Sequence, residues 1–121
     1  ENLELWKWFV SVSLKEYDQA RELYQKAIEI MSALPGGKPE TAITYLNLAN
    51  AAEAQQGLEN ATEFLTDCLQ KAENLLLDES NALDGNYAFV CEKCAPTFGY
   101  YGWFMTAKEI KRRSDEIYER T

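Results

Sequence analysis

Apolar residues recur every three or four positions along most of this chain, which is the period of an α-helix that buries one face. In YDQARELYQKAIEIMSAL the apolar and small residues form one such stripe: Tyr17, Ala20, Leu23, Tyr24, Ala27, Ile28, Ile30 and Met31. The stretch PGG at 35–37 ends this pattern, and Pro39 suits the first turn of a following helix. Since no stretch shows the two-residue alternation of a β-strand, the sequence predicts an all-α fold.

Six helices joined by short turns are predicted. They occupy about 2–14, 17–34, 39–56, 60–77, 87–100 and 103–119. Gly57 and the turn-forming segment DESNALDGN at 78–86 separate the later helices.

An internal repeat relates these helices to one another. It is anchored on Ala20, Ala61 and Ala107, which are separated by 41 and 46 positions. Around the anchors, large and small residues recur in register: Tyr17, Leu58 and Phe104 three positions before, Leu23, Phe64 and Ile110 three after, and Ala27, Cys68 and Ser114 seven after. Ala49 and Ala95 stand twelve positions before the second and third anchors, where a small residue lets two helices approach closely. The sequence therefore predicts one domain of three stacked antiparallel helix hairpins, at about 1–38, 39–80 and 81–121.

These residues resemble the tetratricopeptide repeat family, whose unit is a helix hairpin with an alanine, an aromatic residue and a second alanine along its second helix. Ala20, Tyr24 and Ala27 match this pattern closely, and Ala61, Leu65 and Cys68 match it more loosely. The repeats are longer than the standard 34 residues, and YLNLANAAEAQQGLENA is similar to the longer units of kinesin light chains. The ending, DGNYAFV through EIYER, resembles the closing repeat of bacterial tetratricopeptide proteins of uncharacterised function.

Two positions depart from the family pattern. Trp8 stands where the first hairpin should have a small residue, and Pro96 lies inside a predicted helix. Gly102, in contrast, supplies a turn glycine of the expected kind. Because the sequence starts with glutamate, it is compatible with an excised piece of a longer repeat protein.

Composition narrows the classes of partner. The chain has 121 residues, of which 46% are apolar, so it can bury a core without a metal or disulfide. Its net charge of -8 argues against nucleic acid and against an anionic membrane surface as partners, because both repel an acidic protein. No apolar run approaches the roughly 18 residues that span a bilayer. Three cysteines do not suit a closed set of disulfides and favour a reducing cytoplasm.

The sequence offers little catalytic chemistry. It contains no histidine, which is the usual general base at neutral pH, and no glycine-rich phosphate motif. Cys91 and Cys94 could share a helix face and hold a metal or form a redox pair, but zinc requires four ligands and redox cysteines favour a helix N-terminus. We favour the alternative that both are small buried residues in a hairpin seam. We therefore expect no enzyme, no cofactor and no metal.

The resemblance implies a right-handed superhelix whose concave groove, lined by the first helix of each hairpin, binds a protein or peptide. The predicted partner-binding residues are Trp6 and Phe9 in the first hairpin, Leu46, Asn47, Asn50 and Glu53 in the second, and Phe89, Lys93 and Tyr100 in the third. Asn47 and Asn50 share a helix face, and carboxamides can pair with a peptide backbone of any sequence. The resemblance marks Asn47 as the stronger of these two assignments.

Alternatives remain open for several of these positions. The two asparagines could bond locally or to water. Trp6 and Phe9 could be core residues that cover the end of the stack or pack against a missing upstream repeat. The basic stretch KEIKRR at 108–113 could be a solvated helix face, or it could meet an acidic partner or a neighbouring subunit. A structural, self-associating segment of a larger scaffold is the alternative function. We expect a monomer or a weak homo-oligomer.

Overall fold

The computed structural model describes the backbone of residues 2–120 and the side chains of residues 15–120. Five α-helices make up most of this part of the chain: α1 Asn2–Ser32, α2 Lys38–Gln56, α3 Leu58–Leu76, α4 Gly85–Tyr100 and α5 Phe104–Arg120. Residues 2–120 contain no β-strand, so the predicted all-α class is confirmed. None of the described helices is long and apolar enough to cross a membrane.

The first two predicted helices are a single helix in the structure. We predicted a break between residues 14 and 17, whereas α1 covers Asn2–Ser32 without interruption. The linking residues Lys15 and Glu16 are good helix formers, and no glycine or proline occurs before Pro35. The predicted break was therefore wrong, and the first unit is one long helix instead of a hairpin.

The other predicted turns are present. Gly57 alone separates α2 from α3, and Gly102 lies between α4 and α5. Their φ angles are 83° and 85°, a region that side chains with a Cβ rarely adopt. At the start of α4, Asp84 is the N-cap, and its carboxylate accepts a hydrogen bond from the backbone nitrogen of Tyr87 at 2.9 Å.

The helices pack as the repeat requires over most of the chain. Helices α2 and α3 form one hairpin and α4 and α5 a second, while α2 also packs against both α1 and α4. Ala49, Ala61 and Ala95, three of the small residues that define the repeat, are buried. Ala20 and Ala107 are half-buried. Close helix approach at small residues is therefore the basis of both hairpins.

Helices α2 and α4 lie parallel in a defined register. Asn86 Nδ2 donates to Glu40 Oε1 at 2.7 Å near their N-terminal ends, and Tyr100 Oη donates to Glu53 Oε2 at 2.7 Å near their C-terminal ends. The paired residues are 46 and 47 positions apart. This offset agrees with the spacing of 46 that the sequence repeat gives between the second and third units.

Two hydrophobic clusters hold this arrangement. The larger cluster contains residues of α2, α3, α4 and α5, among them the buried Leu46, Leu69, Leu76, Tyr87, Phe98 and Ile110. The smaller lies where α1 meets the α2–α3 hairpin and contains Ala49, Leu65 and Cys68, with Tyr24 and Ile28 of α1 packed against them. Between them, the clusters fix the position of α2 relative to α1 on one side and to α4 on the other.

Candidate partner-binding groove

The exposed sides of α2 and α4 lie next to each other and line an open depression, which we call the α2–α4 groove. The groove is lined by Asn50, Glu53 and Ala54 of α2 and by Pro96, Thr97 and Tyr100 of α4, and its volume is about 460 Å³. N-terminal to it, Asn47 on α2 and Phe89 and Lys93 on α4 are exposed at helical spacing from these residues. Five of the nine predicted partner-binding residues are therefore exposed on these two helices.

Glu53 links α2 to α4 at the C-terminal end of this groove. Its Oε2 accepts the Tyr100 hydroxyl at 2.7 Å, and its Oε1 accepts the Tyr101 hydroxyl at 2.8 Å. The Tyr101 hydroxyl also lies 2.9 Å from Asn50 Oδ1, which orients that carboxamide. The two tyrosine rings meet edge to face, with their centroids 4.9 Å apart. One carboxylate therefore positions two aromatic side chains and, through Tyr101, one of the asparagines.

The protonation of these tyrosines follows from their surroundings. Burial, together with the hydrogen bond to Glu53, raises the pKa of Tyr101 well above its usual value. The hydrogen bond to Glu53 also raises the pKa of the Tyr100 hydroxyl. Both hydroxyls are therefore donors at neutral pH, and both carboxylate oxygens of Glu53 are used within the fold. This gives Glu53 a positioning role in addition to its predicted contact with a partner.

N-terminal to the groove, α4 exposes one apolar and one cationic side chain. Half of the Phe89 side chain is exposed, and Lys93 Nζ lies 5.3 Å from the centroid of the Phe89 ring. A cation over an aromatic face is attracted by the ring quadrupole, so Phe89 orients the lysine. The offset of 46 between the helices places Asn47 at the level of Lys93.

The two exposed asparagines of α2 differ in their hydrogen bonds. Both are exposed on α2, but Asn50 is held by Tyr101, whereas the Asn47 carboxamide makes no hydrogen bond to any described side chain or backbone group. Asn47 therefore has its full capacity of two donors and an acceptor available to a partner.

Leu46 does not line the groove, which corrects our prediction. Its side chain is only 2% exposed and belongs to the larger hydrophobic cluster. The reason is helical geometry: Leu46 precedes Ala49 by three residues, so both lie on the face that packs against neighbouring helices. Asn47, one position later, is turned away from that face.

The predicted contacts of the first unit involve Trp6 and Phe9. Their side chains lie outside the described residues 15–120, so these contacts stay predictions.

Tyr101 was not among the predicted binding residues, and the structure places it at the junction of α2 and α4. A signal for it was present, because the 46-residue offset puts the end of α4 beside Glu53. A polar aromatic residue at that place can reach a carboxylate on the neighbouring helix. The exposed Ala54, opposite Tyr100 in the same register, was missed as well.

The cysteines of α4 are buried packing residues. Cys91 is fully buried and Cys94 is 1% exposed. Burial raises the pKa of both thiols, that of Cys94 to about 12. Since the thiolate is the nucleophile and the metal ligand, this environment opposes both chemistries. Among the described side chains, no group of three or more cysteine, aspartate or glutamate residues is placed to hold a metal ion.

The basic stretch at 108–113 is paired with acidic residues of the same helix. Arg112 bonds Glu109 and Glu116 at 2.9 and 2.8 Å, and Arg113 bonds Glu109 at 2.7 Å. Both arginines lower the pKa of Glu109, to about 2. This pattern is that of a solvated, ion-paired helix face.

Comparison with known proteins identifies the family. The family model for the tetratricopeptide repeat matches residues 10–74, which is more than half of the chain. Searches of curated proteins and of solved structures found no match. Tetratricopeptide repeats generally mediate protein–protein interactions, and they are typically not enzymes. The family match, the two helix hairpins and the parallel α2 and α4 agree, and the chain belongs to the tetratricopeptide repeat family.

Proposed function

We propose that this chain is a protein-interaction module that binds an extended segment of a partner protein in the α2–α4 groove. The observation that carries the proposal is the exposure of Asn47 and Asn50, three residues apart on α2, along the line where α4 lies beside it. The Asn47 carboxamide can donate and accept hydrogen bonds, and the Asn50 amide nitrogen can donate while its oxygen bonds Tyr101. The pair can therefore bond a peptide backbone whatever side chains it carries. An extended segment offers unpaired backbone groups at regular intervals.

The size of the groove limits the length of the bound segment. We take the exposed Phe89 and Tyr100 as the two ends of the binding surface. They are eleven residues apart on α4, which corresponds to about 16 Å along the helix axis. An extended chain advances by about 3.3 Å per residue, so the distance fits roughly five residues. The two exposed rings provide apolar contacts at the ends of this segment.

The charge of the groove also favours one kind of ligand. Lys93 suits one acidic side chain at the N-terminal end, because Phe89 already orients its ammonium group. A single lysine does not form the cluster of cations that some family members use to bind a C-terminal carboxylate. We therefore propose recognition of an internal peptide segment with an acidic residue near the Lys93 end.

A displayed library of random peptides tests this function directly. Peptides selected on the purified chain should bind in solution, and Asn47→Ala/Asn50→Ala should weaken them. Two hydrogen bonds of about 0.5–1.5 kcal/mol each correspond to a loss of roughly 5- to 150-fold in affinity. Asn74→Ala is the matched control, because Asn74 is an exposed asparagine on α3 whose oxygen accepts a hydrogen bond from Gln70 of the same helix.

Two results would contradict the proposal. One is a library that yields no peptide above background. The other is a set of bound peptides whose affinity for Asn47→Ala/Asn50→Ala equals that for Asn74→Ala. Circular dichroism of each variant shows whether a loss of binding reflects loss of the fold.

A further inference from the structure

The α2–α4 groove contains a negative charge that is not paired with a cation. Of the six described residues that line the groove, Glu53 is the only charged one. Within the described part of the chain, no lysine or arginine forms an ion pair with its carboxylate. Glu109 on α5 differs in this respect, since Arg112 and Arg113 bond it at 2.9 and 2.7 Å. The Glu53 carboxylate is therefore available to a positive charge from a partner.

The hydrogen bonds that Glu53 already accepts leave capacity for further donors. Each carboxylate oxygen accepts one tyrosine hydroxyl, at 2.7 Å from Tyr100 and at 2.8 Å from Tyr101. An ionised carboxylate has about four lone-pair sites, so each oxygen keeps one of them. In the same groove, the side-chain hydroxyl of Thr97 makes no hydrogen bond to any described group. These oxygens can accept N–H groups of a ligand.

The other walls of the groove suit a long, flat cationic side chain. Tyr100 is 68% exposed, so its ring is accessible to a cation, which the quadrupole of an aromatic ring attracts. Pro96 and Ala54 add apolar surface that can cover the methylene stem of such a side chain. Arginine fits this combination better than lysine, because its guanidinium group is planar, stacks on aromatic rings and carries five donors.

We propose that the α2–α4 groove binds an arginine side chain of the partner segment, with the guanidinium group in contact with the Glu53 carboxylate and the Tyr100 ring. This inference rests on the proposed function, because it requires the segment to lie in the groove, and it adds the chemical class of one bound residue. The net charge of -8 also favours it, since an acidic protein attracts a basic segment.

The position of Lys93 predicts how far this arginine lies from the acidic residue of the same segment. Lys93 and Tyr100 are seven residues apart on α4, and Phe89 draws the ammonium group up to four residues further, which gives about 10–16 Å along the axis. In an extended chain, residues four positions apart lie about 13 Å apart on the same side. We therefore expect an acidic residue and an arginine four positions apart in the bound segment.

Peptides selected from the random library test this inference. An arginine four positions from an aspartate or glutamate, in either order, should be more frequent among them than in the unselected library. Each arginine peptide is then also synthesised with citrulline in place of arginine, which keeps the shape of the side chain and removes its charge. The citrulline peptide should bind roughly 5- to 30-fold more weakly, because it loses a cation–aromatic contact and an ion pair at a half-exposed site.

Variants of the chain assign the contact to Glu53 and Tyr100. Glu53→Gln should remove most of the difference in affinity between the arginine and citrulline peptides, whereas a loosened groove would weaken both peptides alike. Tyr100→Leu should also reduce this difference, and Tyr100→Phe, which keeps the ring, should preserve it. Glu63→Gln is the matched control, because Glu63 is an exposed glutamate on α3 that does not line the groove, and it should leave the difference unchanged.

The outcomes separate this inference from the proposed function. Peptides that bind through Asn47 and Asn50 but show no enrichment of arginine overturn the arginine site and leave the function standing. Equal affinities of the arginine and citrulline peptides do the same, as does a difference that persists in Glu53→Gln. A library that yields no binding peptide removes the proposed function and the arginine site together.

Discussion

Replacing Tyr101 with phenylalanine should loosen the contact between α2 and α4 and lower the free energy of unfolding. The hydroxyl of Tyr101 lies 2.8 Å from Glu53 Oε1 and 2.9 Å from Asn50 Oδ1. Phenylalanine keeps the ring, which packs against the core, and removes only the hydroxyl. The substitution therefore isolates the polar link between the two helices that form the groove.

The expected magnitude follows from the acceptor and from burial. A hydrogen bond to a charged group contributes about 1.5–3 kcal/mol when it is shielded from water. Because Tyr101 is only half-buried, solvent weakens the interaction, and we expect a loss of about 1–2 kcal/mol. For a domain of this size, such a loss lowers the melting temperature by roughly 3–10 °C.

Tyr100→Phe is the internal control for this measurement. Tyr100 bonds the same carboxylate at 2.7 Å, but its side chain is 68% exposed, so water replaces the lost bond at little cost. Urea unfolding monitored by circular dichroism gives the free energy of unfolding for both variants. The loss in Tyr101→Phe should clearly exceed the loss in Tyr100→Phe.

A double-mutant cycle with Glu53→Gln assigns the effect to the pair. If the hydroxyl acts through Glu53, the two substitutions together should cost less than the sum of the separate losses. Equal losses in Tyr101→Phe and Tyr100→Phe, or strict additivity with Glu53→Gln, would show that this carboxylate does not hold α2 to α4.

Three further outcomes follow from the same structure. Leu46→Ala should lower the free energy of unfolding by about 2–4 kcal/mol, because it leaves a cavity at a buried position. Asn47→Ala should change the same quantity by no more than about 0.5 kcal/mol. Urea unfolding of both variants measures the difference. The three cysteine thiols should react with a thiol reagent only as fast as the chain opens, because Cys68, Cys91 and Cys94 are buried. Burial also raises the pKa of each thiol, to about 11 for Cys68, which keeps the reactive thiolate scarce. Labelling with and without urea measures the reaction rate. The pKa of Tyr101 in the folded chain is raised above 10.0, so the stability that its protonated hydroxyl contributes should be complete below about pH 10 and be lost as the pH rises further. In urea unfolding at alkaline pH, the free energy of unfolding should therefore decline less in Tyr101→Phe than in the unmodified chain.

Much of the fold was predictable because local signals and the repeat agree. Gly57, Gly102 and the PGG stretch end helices through their backbone preferences, which do not depend on distant contacts. The spacing of 46 between Ala61 and Ala107 agrees with the register of α2 against α4, since small residues recur where helices must approach. The family follows from the same features.

The errors arose where local sequence leaves two structures nearly equal. Between residues 14 and 17 the chain has good helix formers and no glycine or proline, so nothing local distinguishes a hairpin from a continuous helix. Leu46 was misplaced because one residue on a helix turns the side chain by about 100°, and the apolar side is broad in a helix covered by three others. Tyr101 depends on side-chain reach at a helix end, which periodicity does not specify.

Equivalent positions of the two hairpins carry different residue types, depending on whether a neighbouring helix packs over them. With the offset of 46, the apolar Leu46, Leu65 and Leu69 of the α2–α3 hairpin correspond to Glu92, Lys111 and Asp115 of the α4–α5 hairpin. The three leucines are buried, whereas the three charged residues are exposed, because α1 and α4 cover the first hairpin and no other described helix covers the outer side of the second. Burial of charges without partners is costly, so the backbone repeat is kept while the side chains change at an open face.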